Sequence, residues 1–249
     1  MQKEIYRLNY QLEETHWWFL GRRDIFFSSI RRLIHQEKLS PPLHILDYGC
    51  GTGGITLALS AFGMVLGADE SDDAIAFCRS RGLDNIQKVT SPRELPEAAF
   101  DLVCCLDALE HVEDDVLLLG ELRRALRPRG ILLITVPALP MLWGGEDVVS
   151  HHVRRYRRRE LADKLTQAGF STVRASYFNT LLLPAIFGKR LFNRFFRPST
   201  LNRSDLYPVW PPLNAILYRI FSAERILMPY ISYPLGASLL FIAQKEEKI

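Results

Sequence analysis

Between residues 43 and 137, short apolar runs alternate with stretches of helical spacing, and that rhythm restricts the fold more than any other feature of the chain. The runs are "LHILDYG", "MVLGADES", "IQKV", "FDLVCCLD" and "ILLITVP", with helical patterns between them at about 55–62, 72–81 and 114–126. Farther on, 160–168 reads as a helix stopped by Gly169, and "STVRASYF" and "ASLLFIAQK" read as two more strands. Strands separated so regularly by helices predict an α/β fold with a parallel, doubly wound sheet. At 249 residues the chain suits one large domain of this kind with an elaborated cap, and it can bury a sizeable core.

Two segments stand outside the rhythm. Residues 1–40 set Tyr6, Tyr10, Trp17, Trp18, Ile25, Phe26, Ile30, Leu33 and Ile34 at helical spacing, which predicts two amphipathic helices ahead of Pro41-Pro42. Residues 179–235 hold "LLLPAIFGKRLFNRFF", a polar stretch with Ser204-Asp205, and "PPLNAILYRIFSAERILMPYISYP". Lys189, Arg190, Arg194, Arg197, Arg219 and Arg225 are interleaved with the apolar residues there. This block is expected to be an inserted helical cap, leaving 41–178 and 236–249 as the core. Basic side chains beside Leu, Phe and Ile suit a lid over a pocket and equally a helix lying at a membrane surface.

Composition removes several classes. A net charge of +3 from 31 basic and 28 acidic residues does not announce a polyanion partner, and neither DNA nor RNA is expected as one. Cys50, Cys78, Cys104 and Cys105 form no C-x-x-C pair, which suits buried, reduced thiols rather than a disulfide framework or a zinc site. No uncharged stretch reaches the roughly 18 residues of a membrane span, and the first residues lack a signal-peptide core. A cytoplasmic protein is expected, with peripheral contact at the inner membrane face through the cap.

The first strand runs into "HILDYGCGTGG", whose glycines have G-x-G-x-x-G spacing behind an aspartate. Glycines at a strand-to-helix turn let a ligand approach the backbone. In dinucleotide-binding proteins the following helix N-terminus faces a pyrophosphate. Asp47 at the mouth of the loop would repel that group, and so points to a ligand whose middle is cationic, such as the ammonium of the methionine part of S-adenosylmethionine. Asp69 and Glu70, at the end of the second strand, stand where an acid reaches ribose hydroxyls.

"ILDYGCGTG" resembles the first motif of the class I S-adenosylmethionine-dependent methyltransferases, D-x-G-x-G-x-G. "FDLVCCLDALEHVEDD" is similar to that family's fourth-strand motif, and "LRPRGILLITVP" to its fifth-strand segment. "HHVRRYRRRELADKLTQAGF" resembles the stretch that follows in its small-molecule branch. The likeness covers about 44–178. It implies a Rossmann-like, seven-stranded, mostly parallel sheet whose last strand is antiparallel, with S-adenosylmethionine as cofactor and S-adenosylhomocysteine as product. By the same resemblance Asp47, Gly49, Cys50, Gly51 and Gly53 would line the methionine half of the cofactor. Asp69 would hold the ribose, Glu70 would lie beside the adenine, and Leu106 would flank the methyl. Many relatives carry an acid before "LP" that bonds the adenine. Here the segment is "VTSPRELP", with Ser91 nearest in register.

On the acceptor side, His111 ends the fourth-strand segment and His152 opens the arginine-rich loop; each is a candidate base that could take a hydroxyl proton near neutrality. The alternative for His111 is a helix-start histidine bonded to a backbone group. Glu110 beside it could help hold a metal, but one acid–histidine pair is poor ground for that, and no metal is expected. His16, Trp17 and Trp18 could wall the acceptor, though aromatics at helical spacing also form cores. Arg155 and Tyr156 overlook the acceptor, whereas Arg157, Arg158 and Arg159 read as a solvated loop. Asp101, Cys104 and Cys105 read as structural. The whole predicts methyl transfer, most simply to an oxygen of a small, apolar or lipid-linked acceptor. An RNA methyltransferase using the basic run 154–159 and a non-catalytic adenosine-binding protein are the alternatives. The sequence leaves the oligomeric state open.

Overall fold

The computed structural model describes residues 3–196, 204 and 206–246. Seven strands form one sheet: β1 Leu43–Tyr48, β2 Gly63–Asp69, β3 Ile86–Lys88, β4 Phe100–Leu106, β5 Leu126–Pro137, β6 Phe170–Phe178 and β7 Ser238–Lys245. Their order is β3-β2-β1-β4-β5-β7-β6. β7 runs antiparallel to both neighbours, β5 and β6, and the other six strands are parallel. This is the doubly wound arrangement that the apolar runs predict. Ile45, Leu46, Leu102, Val103, Cys104, Cys105 and Ile131 to Ile134 are buried, because central strands of a parallel sheet are covered on both faces. Asp101 is structural: it accepts from the His44 N–H at 2.8 Å and from Arg127 at 2.7 Å, tying β1 to β4 and β5.

The crossovers carry α3 Gly54–Leu59, α4 Asp72–Ser80, α5 Asp115–Ala125 and α7 Arg158–Gln167, with the short α6 Gly145–Val149 after β5. Their starts follow local chemistry. Ser71 caps α4 by accepting from the Ala74 N–H, and Asp114 caps α5 by accepting from that of Leu117. α7 begins two residues before the expected 160, directly after the buried Tyr156.

Two helices precede the sheet, α1 Lys3–Leu12 and α2 Trp17–His35, and two lie in the insertion, α8 Leu183–Phe196 and α9 Pro211–Leu227. The N-terminal helices and the insertion meet where α2 packs along α9. A Cβ on Gly21 would come 2.5 Å from the Phe221 ring, so glycine sets the closeness of that contact. Phe221 stacks on Phe178 and meets the edge of Trp17, while Asp24 of α2 pairs with Arg225 and accepts from Tyr218. Arg197 and Asp205, named among the cap residues, lie outside the described residues. Among the described residues no helix is long and apolar enough to cross a membrane.

Candidate active site at the carboxyl ends of the central strands

The chain leaves β1 toward one side of the sheet and returns at β4 toward the other, so the carboxyl ends of β1 and β4 flank the crevice where ligands of such folds bind. After β1 the backbone turns through Gly49, Gly51 and Gly53 with φ of 73°, 56° and 84°, the left-handed region that glycine enters at no steric cost. At Gly51 a Cβ would meet nothing within 4 Å, and at Gly49 it would lie 2.5 Å from the Ala108 Cβ. The loop is bare on one side and pressed on the β4 exit on the other.

Acids ring this loop. The Asp69 carboxylate accepts from the Gly51 N–H at 2.9 Å and the Ser71 N–H at 3.0 Å. Asp47 is 2% exposed and accepts from the Thr56 hydroxyl at 2.6 Å. Burial pushes its carboxyl up to about 6, against that hydrogen bond and helped by the charges of Asp69 and Glu13. Cys50 packs its Sγ 3.8 Å from that of Cys78, and the hydrogen bond between them together with burial raises the Cys50 thiol out of the reactive range.

Glu13 was not visible as a site residue in the sequence. It accepts from the Thr52 hydroxyl at 2.7 Å and from the Gly54 N–H at 3.2 Å in the first turn of α3, and Arg81 pairs with it. A carboxylate already sits on the helix end where a dinucleotide would put its pyrophosphate. Tyr6, also from the N-terminal segment, stands over Asp69; burial first and then the Asp69 charge push its phenol up to about 12. Glu70 is exposed. Ser91 accepts from the Arg93 N–H in a capping box with Glu94, and Leu106 is half-buried at the end of β4.

Across residues 21–175 the chain matches the profile of a methyltransferase domain. The chain belongs to the class I S-adenosylmethionine-dependent methyltransferases. It is 29% identical over 164 residues to a protein of Mycolicibacterium smegmatis named as a probable S-adenosylmethionine-dependent methyltransferase, covering 64% of this chain and 61% of that one. With a ubiquinone biosynthesis O-methyltransferase of Hydrogenovibrio crunogenus it shares 33% identity over 94 residues, 34% of this chain and 39% of that one. A solved S-adenosylmethionine-dependent methyltransferase from Mesorhizobium loti has the same fold at a TM-score of 0.55 and 20% identity, over 84% of this chain and 95% of that one. The matched segments span 55–61% of the length of the first curated relatives.

Across the crevice from the glycine loop, Asp107 has a φ of 54° just past β4, pairs with Arg22 and accepts from the Thr135 hydroxyl at 3.0 Å. The Arg22 guanidinium lies 4.1 Å over the Trp18 ring. His16 is buried and caps α2, its Nδ1 accepting from the Trp18 N–H. Trp17 gives its N–H to Asn214 at 2.8 Å. Of the three expected wall residues, His16 thus caps α2, Trp17 ties α2 to α9, and Trp18 lies against the charged pair.

The two candidate bases meet. The His111 and His152 rings are 4.8 Å apart at 80°, and His152 Nε2 lies 3.9 Å from Glu110 Oε1. Burial and then His152 lower His111 to about 4, leaving it neutral at neutral pH, and its ring also bonds the His151 backbone. Asp147, also missed in the sequence, takes hydrogen bonds from His152 Nδ1 at 2.9 Å, Arg155 at 2.7 Å and the Gly144 N–H at 2.7 Å. Against the upward push of burial these hold it at about 2.

Tyr156 requires correction. It has no exposed surface, and its hydroxyl donates at 2.9 Å to Asp115, which also takes Arg154 and Lys164, so it cannot touch an acceptor in this structure. Arg155 is occupied by Asp147 and the Ala138 carbonyl. Arg157, Arg158 and Arg159 are exposed as expected, but Arg158 and Arg159 lie in the first turn of α7 rather than in a loop.

Proposed function

We propose that this chain transfers the methyl group of S-adenosylmethionine to an oxygen of a small, apolar or lipid-linked acceptor. The observation that carries the cofactor half is Glu13 on the N-terminus of α3, beside the buried Asp47. A crevice so lined with carboxylates disfavours a pyrophosphate and suits an ammonium. In this reading Asp47 and the loop of Gly49, Cys50, Gly51 and Gly53 take the methionine half. Asp69 takes the ribose and Glu70 the adenine edge, with Ser91 near it, and Leu106 flanks the methyl. The cofactor supplies a carbon already activated by its sulfonium. The residues therefore act mainly by aligning the acceptor in line with that carbon and excluding water.

The acceptor oxygen would be activated at the edge formed by His111 and His152, with Trp18 and Arg22 alongside. The name of the ubiquinone O-methyltransferase relative supports oxygen as the atom methylated, and the exposed apolar side chains of α8 and α9 support an acceptor that arrives from an apolar phase. Transfer of labelled methyl to a panel of hydroxyl-bearing and amine-bearing lipids, quinols and sugars tests this. Hydroxyl acceptors should be labelled, and His111→Ala and His152→Ala should each slow the reaction at least tenfold at saturating cofactor. Labelling of amines alone, or unchanged rates in both variants, removes the reading.

A further inference from the structure

We propose that Glu110, His111 and His152 bind a divalent transition-metal cation of the zinc or manganese type. Glu110 has no exposed surface, and among the described residues neither of its carboxylate oxygens has a hydrogen-bond partner. A buried carboxyl with both oxygens unmet is costly unless something fills the space they face. What they face is the two imidazoles, and one ligand atom from each of the three residues lies within 4.8 Å of the others.

The far side of each ring is already held. His152 Nδ1 is fixed by Asp147 at 2.9 Å, which turns Nε2 toward Glu110, and Asp147 is itself pinned by Arg155 and the Gly144 N–H. A carboxylate behind a histidine in this way orients the ring and raises its basicity toward a metal. The His111 ring is bonded to the His151 backbone and stands at 80° to that of His152, so the two rings meet edge to face rather than stacking.

One oxygen and two nitrogens suit zinc, manganese or iron better than calcium or magnesium. Bonds of about 2.1 Å put tetrahedral ligand atoms about 3.4 Å apart, so a pair now up to 4.8 Å apart closes by at most about 1.4 Å to hold an ion. Charge permits it. Arg22 is paired with Asp107 and Arg155 with Asp147, and among the described residues neither arginine is hydrogen-bonded to Glu110. Both histidines keep some exposed surface, 11% for the His152 side chain, and a further ligand would have to enter there. With an ion bound, the imidazoles spend their lone pairs on it and are no longer free bases, and a coordinated acceptor hydroxyl becomes more acidic in their place. Binding of the ion does not depend on the methyl-transfer reading.

The test uses the full chain, free of any histidine tag and stripped with a chelator, titrated calorimetrically with Zn2+, Mn2+ and Mg2+. Co2+ serves as a visible-absorption probe. One equivalent of Zn2+ or Mn2+ should bind in the micromolar range, Mg2+ at least tenfold more weakly, and Co2+ should develop ligand-field bands. Glu110→Gln and His152→Asn should each weaken binding at least tenfold and abolish the bands while still binding S-adenosylhomocysteine, which certifies their fold and tests the cofactor reading separately. Absence of binding below a millimolar, or undiminished binding in both variants, overturns the proposal.

Discussion

Asp47 shows how burial and ligand chemistry are coupled at a single residue. Its carboxyl titrates at about 6 rather than 3.8 because desolvation disfavours the charge. A carboxyl raised in the folded state contributes stability that is full below its ordinary value and is lost as pH rises through about 6. In the proposed reading an ammonium placed there reverses that preference, so the ligand would bind the ionised form. Affinity for S-adenosylhomocysteine is therefore expected to rise about tenfold from pH 5 to pH 7 and to level off above, and Asp47→Asn should bind weakly with no such slope. A flat profile in the wild type would separate Asp47 from the ligand. Tyr156 makes the opposite point. Beside five arginines it reads as ligand-facing, yet its partner Asp115 lies 41 positions away, a distance no local pattern reveals. Tyr156→Phe should cost about 1 kcal/mol in chemical denaturation and leave kcat/KM within twofold; a large loss of kcat/KM with unchanged stability would restore it to the acceptor site.

Among the elements, the strands and crossover helices were legible because each is an apolar run or an amphipathic period, and the glycine turn because its spacing is local. Glu13 was not legible: it meets Gly54 across 41 residues, and acids near a chain start carry no periodic signal. The α2–α9 pairing was hidden for the same reason, since each helix shows an apolar stripe but not its partner. The cap still leaves apolar surface uncovered. Phe195 is 69%, Phe196 72% and Trp210 70% exposed, the first two on the same helix as Lys189 and Arg190. Patches of this kind on a soluble face usually mark an interaction surface. The full chain is expected to co-sediment with vesicles containing anionic lipid at low salt, and Phe195→Ser with Phe196→Ser to reduce that several-fold. Protein remaining in the supernatant at every lipid concentration would reduce the cap to a pocket lid.

Over the whole molecule, the sheet order brings together residues far apart in the chain. The β1 and β4 exits carry Asp47 and Glu110, the N-terminal helices bring Glu13 and Arg22 over them, and the loop after β5 returns with Asp147 and His152. The glycine loop and the acids at the ends of β1 and β2 were readable from the sequence because they are local, whereas Glu13, which joins them, was not. The cluster at the β4 exit was readable only in part, since Glu110–His111 is local but His152 and Asp147, which meet it, come from another crossover. The most direct measurement is calorimetric binding of S-adenosylhomocysteine and of NADH to the wild type and to Asp47→Ala. Binding of S-adenosylhomocysteine alone, lost in the variant, is the expected result. Binding of NADH, or of S-adenosylhomocysteine equally well to both proteins, would contradict the role given to the acid-lined loop.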